Sequence, residues 1–322
     1  MILPKLTAIG SGKGGTGKTL VATALAQTLA QRGERVLLCD ADLGLSNSTV
    51  HLGLDGGGDF SGFLSDRATL DQAVVPVLGG AGERGGFDLL AAAPGSGALA
   101  NLDPAVADRM ISKLRLACTY DRILLDLSAG VDSTTIGFAT RADETLLVLT
   151  PDPAALTDAY AFVKLLLRQT AKTGGRRKPL VLVNMVENET EARRTRDALA
   201  KTCNAFLKTA PDYAGHVPRD PQAQMAVRQQ RPLVELYPDA PSSRAFRDIA
   251  RKLSSDTGYV DKLDEALPLR EPKGCPNSPA PGARGHPSPL LSRIRVSFRH
   301  RWRGGSAVAV RPKGCTAGIG QS

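Results

Sequence analysis

The 322-residue chain is 42% hydrophobic and 23% charged, enough for one large or two small globular domains. No apolar run of about 18 residues occurs, which excludes a spanning helix. Five cysteines (Cys39, Cys118, Cys203, Cys275, Cys315) stand singly, with no C-x-x-C pair and no histidine at ligand spacing, against disulfide frameworks, zinc sites and cysteine-held clusters.

The net charge of +9 is unevenly spread. Residues 265–322 hold ten Lys or Arg against two acids, leaving 31 against 30 before them. A whole-protein electrostatic case for nucleic-acid binding therefore fails, and an anionic partner is to be sought first at the C-terminus.

The opening Met1-Ile2-Leu3-Pro4-Lys5 lacks the succession of a secretory signal and predicts a cytoplasmic protein. An apolar strand is predicted at Lys5–Gly10. A helix over Lys18–Gln31 follows, with Val21, Ala22, Leu25, Ala26 and Leu29 on one stripe and Gly33 as its stop. Further strands are read at Arg35–Cys39, Phe87–Ala92, Arg122–Leu125, Thr145–Thr150 and Leu180–Val183. Helices are read at Pro104–Ala117, Thr157–Thr170 and Glu189–Lys201. This alternation predicts an α/β fold over residues 1–264: a single three-layer domain with a mainly parallel sheet, whose ligands bind beyond the carboxyl ends of the strands. From residue 265 the character changes, and Pro268–Pro289 is dense enough in Pro, Gly and Ser to read as a linker.

Gly12-Lys13-Gly14-Gly15-Thr16-Gly17-Lys18-Thr19 fits G-x-x-x-x-G-K-[ST] between the first strand and helix, as in P-loop NTPases. The glycines let successive N–H groups point at phosphate oxygens, and the helix N-terminus adds positive charge. Lys18 should reach the β- and γ-phosphates and the Thr19 hydroxyl should meet Mg²⁺. Asp126 closes the run Ile123-Leu124-Leu125, where a Walker-B aspartate would hold the metal. Asp40 and Asp42 follow the second strand at alternate spacing. Each acid alone also reads as a solvated strand end or a helix cap; together they meet on the edge that carries the loop.

Lys13 makes the loop a deviant Walker A, K-G-G-x-G-K-T, and the chain resembles the MinD/ParA family of dimerising ATPases. It is most similar to the flagellar number regulators called FlhG, FleN or YlxH. The strings carrying this are Asp40-Ala41-Asp42-Leu43-Gly44-Leu45-Ser46-Asn47, Thr150-Pro151-Asp152-Pro153 with Leu156-Thr157-Asp158-Ala159-Tyr160, Val183-Asn184-Met185-Val186, and Ala226-Val227-Arg228-Gln229-Gln230-Arg231-Pro232. The resemblance implies an ATP-bridged homodimer in which Lys13 crosses to the partner's ATP and Asp158 is the acid associated with that lysine and the interface. It implies that Asp42 orients the attacking water, and that Asp40 belongs to the magnesium and switch region. The adenine base would lie near Asn184 and the stretch Pro218 to Asp220. Asn184 alone also reads as a turn residue or cap. No N-K-x-D motif is present, which favours ATP over GTP, and Ser128 stands where many relatives carry proline.

The resemblance also implies flagellar partners, the GTPase FlhF among them, although no segment precedes Leu6 to stimulate it. Cell-division site selection is the nearest alternative, and partition ATPases that bind DNA nonspecifically are a further one. The basic run Lys172–Lys178 reads more simply as a solvated loop. Iron–sulfur carrier relatives need paired cysteines that the spacing does not supply, and a scaffold that binds ATP without turnover is the non-enzyme reading. In residues 290–303, Leu291, Ile294, Phe298 and Trp302 form an apolar stripe beside five arginines, as would suit an anionic inner-membrane surface. Ile294, Val296 and Phe298 equally alternate with period two, and a disordered basic tail or a C-terminus altered by a reading-frame change also fits.

Overall fold

The computed structural model describes residues 3–42, 47–56, 58–91, 104–172 and 178–255. The predicted linker and tail, with the 290–303 segment, lie outside them. Eight strands are described: β1 (Lys5–Ser11), β2 (Val36–Ala41), β3 (Val75–Val77), β4 (Phe87–Leu90), β5 (Arg122–Ala129), β6 (Glu144–Leu149), β7 (Leu180–Val186) and β8 (Asp212–Pro218). They form one sheet in the order β3-β4-β2-β5-β1-β6-β7-β8. All neighbours are parallel except β3, which runs antiparallel along β4. The helices are α1 (Lys18–Gln31), α2 (Ser48–Leu52), α3 (Phe60–Leu64), α4 (Leu70–Ala73), α5 (Pro104–Arg115), α6 (Ser133–Arg141), α7 (Pro153–Lys172), α8 (Glu189–Leu207), α9 (Pro221–Arg228), α10 (Leu233–Leu236) and α11 (Pro241–Ser255).

Strand periodicity divides the apolar residues between two cores. Leu37 and Cys39 of β2 join Leu6, Ala8 and Leu125 against side chains of α5 to α8, including Met110, Phe138, Phe162 and Leu199. Their neighbours Val36 and Leu38 join Ile9, Leu124 and Leu146 against α1 and α11, through Leu25, Leu29, Phe246 and Leu253. Both faces of the sheet are thus covered, which makes the three layers and explains why the inner strands read as continuous apolar runs.

Several elements differ from the sequence pattern for identifiable reasons. β3 has three residues with Pro76 in its middle, tolerated because an edge strand leaves one side unpaired. β8 interrupts its apolar residues with Gly215 and His216. β2 and β5 run beyond their apolar stretches, so Asp40 and Asp126 lie inside strands rather than after them. α1 is buried on nearly every side from Val21 to Ala30, not along a single stripe, because it lies between the sheet and α11. The described cysteines Cys39, Cys118 and Cys203 are buried free thiols, as their scatter predicts.

The amino-terminal edge of the sheet is tied by buried charge. The fully buried Arg122 guanidinium donates to Glu34 (2.7 and 3.4 Å), to Thr7 Oγ1 (3.3 Å) and to the Leu253 carbonyl (3.1 Å). Ser254 Oγ donates to Glu34 Oε1 at 2.6 Å, so the end of α11 is locked to β2 and β5. Beside them Arg35 donates through Nε and Nη2 to Asp121, both at 3.2 Å.

Candidate functional site

At the opposite edge, the turn from β1 into α1 depends on approaches that glycine alone permits. A Cβ on Gly12 would lie 2.4 Å from the Asp158 backbone, so the loop packs directly on α7. Gly17 caps α1 at φ 80°, and a Cβ there would meet Asn184 Nδ2 at 2.6 Å. No side chain caps α1 and no acid stands in its first turn, which leaves its free N–H groups and positive end for an anion. Ser11 Oγ donates to the Lys13 carbonyl (2.9 Å) and the Gly130 N–H to the Ser11 carbonyl (2.8 Å), tying the loop to the end of β5.

Lys18 leads from this loop into a buried carboxylate pair. Asp40 and Asp126 are register partners on β2 and β5, each 1% exposed, and Lys18 Nζ donates to Asp126 Oδ1 at 3.4 Å. Burial pushes the Asp126 carboxyl up to about 6; Lys18 opposes this, Asp40 reinforces it, and a hydrogen bond from Thr19 opposes it again. Asp40 is organised by its own turn, Oδ1 accepting from the Asp42 N–H and Oδ2 from the Ser48 N–H, both at 3.1 Å. This places the half-buried Asp42 at the mouth of the pair.

Seven buried side-chain polar atoms have no hydrogen-bond partner among the described residues, and five of them lie here: Asp126 Oδ2, the hydroxyls of Thr16, Ser48 and Thr49, and His51 Nδ1. Buried polar groups are nearly always paired, so their concentration at one edge marks a place built for something more. Burial lowers the pKa of His51, while Asp40 acts to raise it. The donors at hand, the Thr19 hydroxyl and the two carboxylates, suit a small hard cation, and an unsatisfied carboxylate oxygen is already present. The described residues hold no group of three or more His, Cys, Asp or Glu able to bind a metal alone. A cation here would complete its shell with water and substrate oxygens, as Mg²⁺ does.

The remaining predicted residues make the following contacts within one protomer. Lys13 is exposed and donates to Asp152 Oδ1 at 3.3 Å, not to Asp158, whose backbone supports Gly12 instead. Asp152 was not among the predicted site residues, although it stands in the quoted Thr150-Pro151-Asp152-Pro153 string. It accepts from the Ala155 N–H (2.9 Å) and Thr150 Oγ1 (2.8 Å). Those two bonds, with Lys13, pull its pKa down to about 2. Asn184 is neither turn residue nor cap: it lies inside β7, 4% exposed, and its Nδ2 donates to the Thr16 carbonyl at 2.8 Å, bracing the loop. Pro218 ends β8 in register with Val186, beside that strut. Asp220 serves the fold, accepting from the Gln222 N–H (2.9 Å), the Ser242 N–H (3.0 Å) and Ser242 Oγ (2.6 Å). Burial acts to raise its pKa, but these bonds outweigh it and hold the carboxylate ionised below its usual range.

Comparison with known proteins agrees with this geometry. The family model of the CobQ/CobB/MinD/ParA nucleotide binding domain matches residues 7–233. The antiactivator FleN of Pseudomonas aeruginosa is 36% identical over 252 residues, covering 78% of this chain and 86% of that protein. The flagellum site-determining protein YlxH of Helicobacter pylori is 29% identical over 267 residues, covering 82% and 87%. Among solved structures, a chain of the MinC:MinD cell division protein complex of Aquifex aeolicus superposes with a TM-score of 0.63 at 27% identity, covering 83% of this chain and 98% of that one.

Proposed function

The chain belongs to the CobQ/CobB/MinD/ParA nucleotide-binding family, in its FleN- and YlxH-like branch, and from that premise we propose that it is a Mg²⁺-dependent ATPase whose ATP-bound homodimer regulates flagellar number or placement. The observation that carries this reading is the buried Asp40–Asp126 pair, with Asp126 Oδ2 lacking a hydrogen-bond partner among the described residues, standing under a glycine loop with Lys18 Nζ 3.4 Å from Asp126 Oδ1. Lys18 and the open N-terminus of α1 bind the phosphates. Thr19, Asp40 and Asp126 hold the magnesium, which neutralises charge on the phosphates when bound. Asp42 orients the attacking water from beside Asp40. Asn184 and Pro218 border the base, with Asp220 fixing the loop behind them, and the missing guanine motif selects ATP.

Lys13 supplies the dependence on dimerisation. Its pair with Asp152 has both side chains 44% exposed, and exposed pairs contribute at most about 1 kcal/mol, so the lysine is readily released to a partner's phosphates. Acting across an interface it stabilises transferred charge only when two protomers meet, as an arginine finger does. The protein then works as a timer: the γ-phosphate biases the segments around Asp42 and Asp126, and its loss frees the dimer. No helix among the described residues is long and apolar enough to cross a membrane. The proposed location is the cytoplasm, with the basic tail as a peripheral contact to an anionic inner membrane and FlhF or other flagellar proteins as partners.

Asp42→Ala tests the chemistry. It should keep ATP-dependent dimers while steady-state phosphate release falls at least about tenfold; wild-type release would remove Asp42 from the water-positioning role. Counting flagella on cells that lack the protein tests the process. The likeness to the MinC:MinD structure supports division-site selection as a second reading, and displaced septa with unchanged flagella would favour it.

A further inference from the structure

We propose that the first turn of α2 forms an outer wall of the metal site, with the hydroxyls of Ser48 and Thr49 holding water bound to the cation. The inference rests on the nucleotide-site reading above and deepens it.

Ser48 is fully buried and Thr49 is 1% exposed, yet neither hydroxyl has a hydrogen-bond partner among the described residues. An unsatisfied buried hydroxyl costs stability that an apolar side chain of the same shape would not. Two in succession on a five-residue helix call for a partner. Their position indicates which. The Ser48 N–H donates to Asp40 Oδ2 at 3.1 Å. A serine Oγ lies about 3 Å from its own amide nitrogen by covalent geometry, so the hydroxyl is within one water molecule of that carboxylate. Asp40 stands in register with Asp126, whose Oδ2 is also unsatisfied.

Asp126 of β5 and Ser48 of α2 therefore flank Asp40 with oxygens that lack partners among the described residues, and Thr49 follows on the same helical turn. Water ordered by a cation supplies what they need, because Mg²⁺ keeps several of its waters and each has hydrogens to donate. The chemistry agrees: two buried carboxylates stand side by side where Lys18 enters, Nζ lying 3.4 Å from Asp126 Oδ1, and oxygen donors of this kind suit a hydrated dication. His51 Nδ1, one turn along the same helix, is a further buried polar atom without a partner among the described residues. The residues that touch the metal would thus come from α1, β2 and β5, and those that orient its water from α2.

The test uses the full chain and a fluorescent ADP analogue, whose release is followed as Mg²⁺ is titrated against EDTA. In Ser48→Ala, Thr49→Val and the double variant, release without Mg²⁺ should match wild type. The Mg²⁺ concentration that slows release should rise at least about tenfold, the size expected when an outer partner of a metal site is lost. Thr49→Val in EDTA should also melt a few degrees higher, because a methyl replaces an unsatisfied hydroxyl, and Thr49→Ser should restore the Mg²⁺ response. Wild-type Mg²⁺ dependence in the double variant would overturn this inference alone, as would equal loss of binding with and without the metal. Nucleotide release that ignores Mg²⁺ in the wild type would overturn the site reading and this inference together.

Discussion

The two ends of the central strands are built to opposite rules. At the amino-terminal edge, Arg122 opens β5 fully buried, with Glu34, Thr7, Leu253 and Ser254 closing a single network around it. Four residues later on the same strand, Asp126 is equally buried, with Lys18 Nζ at 3.4 Å, a hydrogen bond from Thr19 and one oxygen without a partner among the described residues. One end spends its charge on holding α11 to the sheet. The other keeps charge, hydroxyls and helix N–H groups in reserve, and the difference separates residues that maintain the fold from those positioned for a ligand.

The sharpest way to break this contrast is to mutate each end and compare stability. Arg122→Ala strands the Glu34 carboxylate and should cost about 3–5 kcal/mol in urea denaturation. Arg122→Met combined with Glu34→Leu should recover most of that loss, because an apolar pair removes the stranded charge.

At the other end, Asp126 should make the metal-free protein less stable as pH rises. Below the ordinary value of 3.8 both states carry the proton; between 3.8 and about 6 the unfolded chain releases it while the folded one retains it. Stability therefore falls across that window, by up to about 3 kcal/mol, and levels off above it. The difference between wild type and Asp126→Asn, measured in EDTA across the pH range, isolates this contribution, and a flat difference would contradict it.

Smaller effects sharpen the picture around the loop. Asp152→Ala should cost about 1 kcal/mol through its lost bond from the Ala155 N–H at the start of α7. Lys13→Ala should stay within about 0.5 kcal/mol of wild type in thermal melts, since that residue is exposed and its ion pair is weak.

Much of the site is legible in the sequence because its parts are local. Gly12 to Thr19 announces strand, loop and helix in eight consecutive residues, and Asp40 and Asp126 follow apolar runs that read as strands. What is hidden depends on contacts between distant segments. Lys13 and Asp152 lie 139 positions apart, and nothing in either neighbourhood favours Asp152 over Asp158 as the partner. Asn184 looks like a residue at a strand end, and only the packing of β7 against the loop makes it a brace for Thr16. Ser48 and Thr49 resemble ordinary helix-start residues until burial shows that their hydroxyls lack partners. α11 does carry a readable stripe, with Phe246, Ile249 and Leu253 at helical spacing, and its role as a lid on one core emerges with the fold. Asp220 carries a second duty that its string does not announce: its carboxylate accepts from Ser242 and from the start of α9.

The account stands most directly on Lys13 completing a neighbour's site. The decisive measurement is phosphate release per protomer from wild type and Lys13→Ala over a range of protein concentrations at saturating ATP and Mg²⁺. The wild-type rate should climb with concentration as dimers form, while the variant stays low and flat although it is folded and binds nucleotide. Equal rates for the two proteins, independent of concentration, would contradict the account.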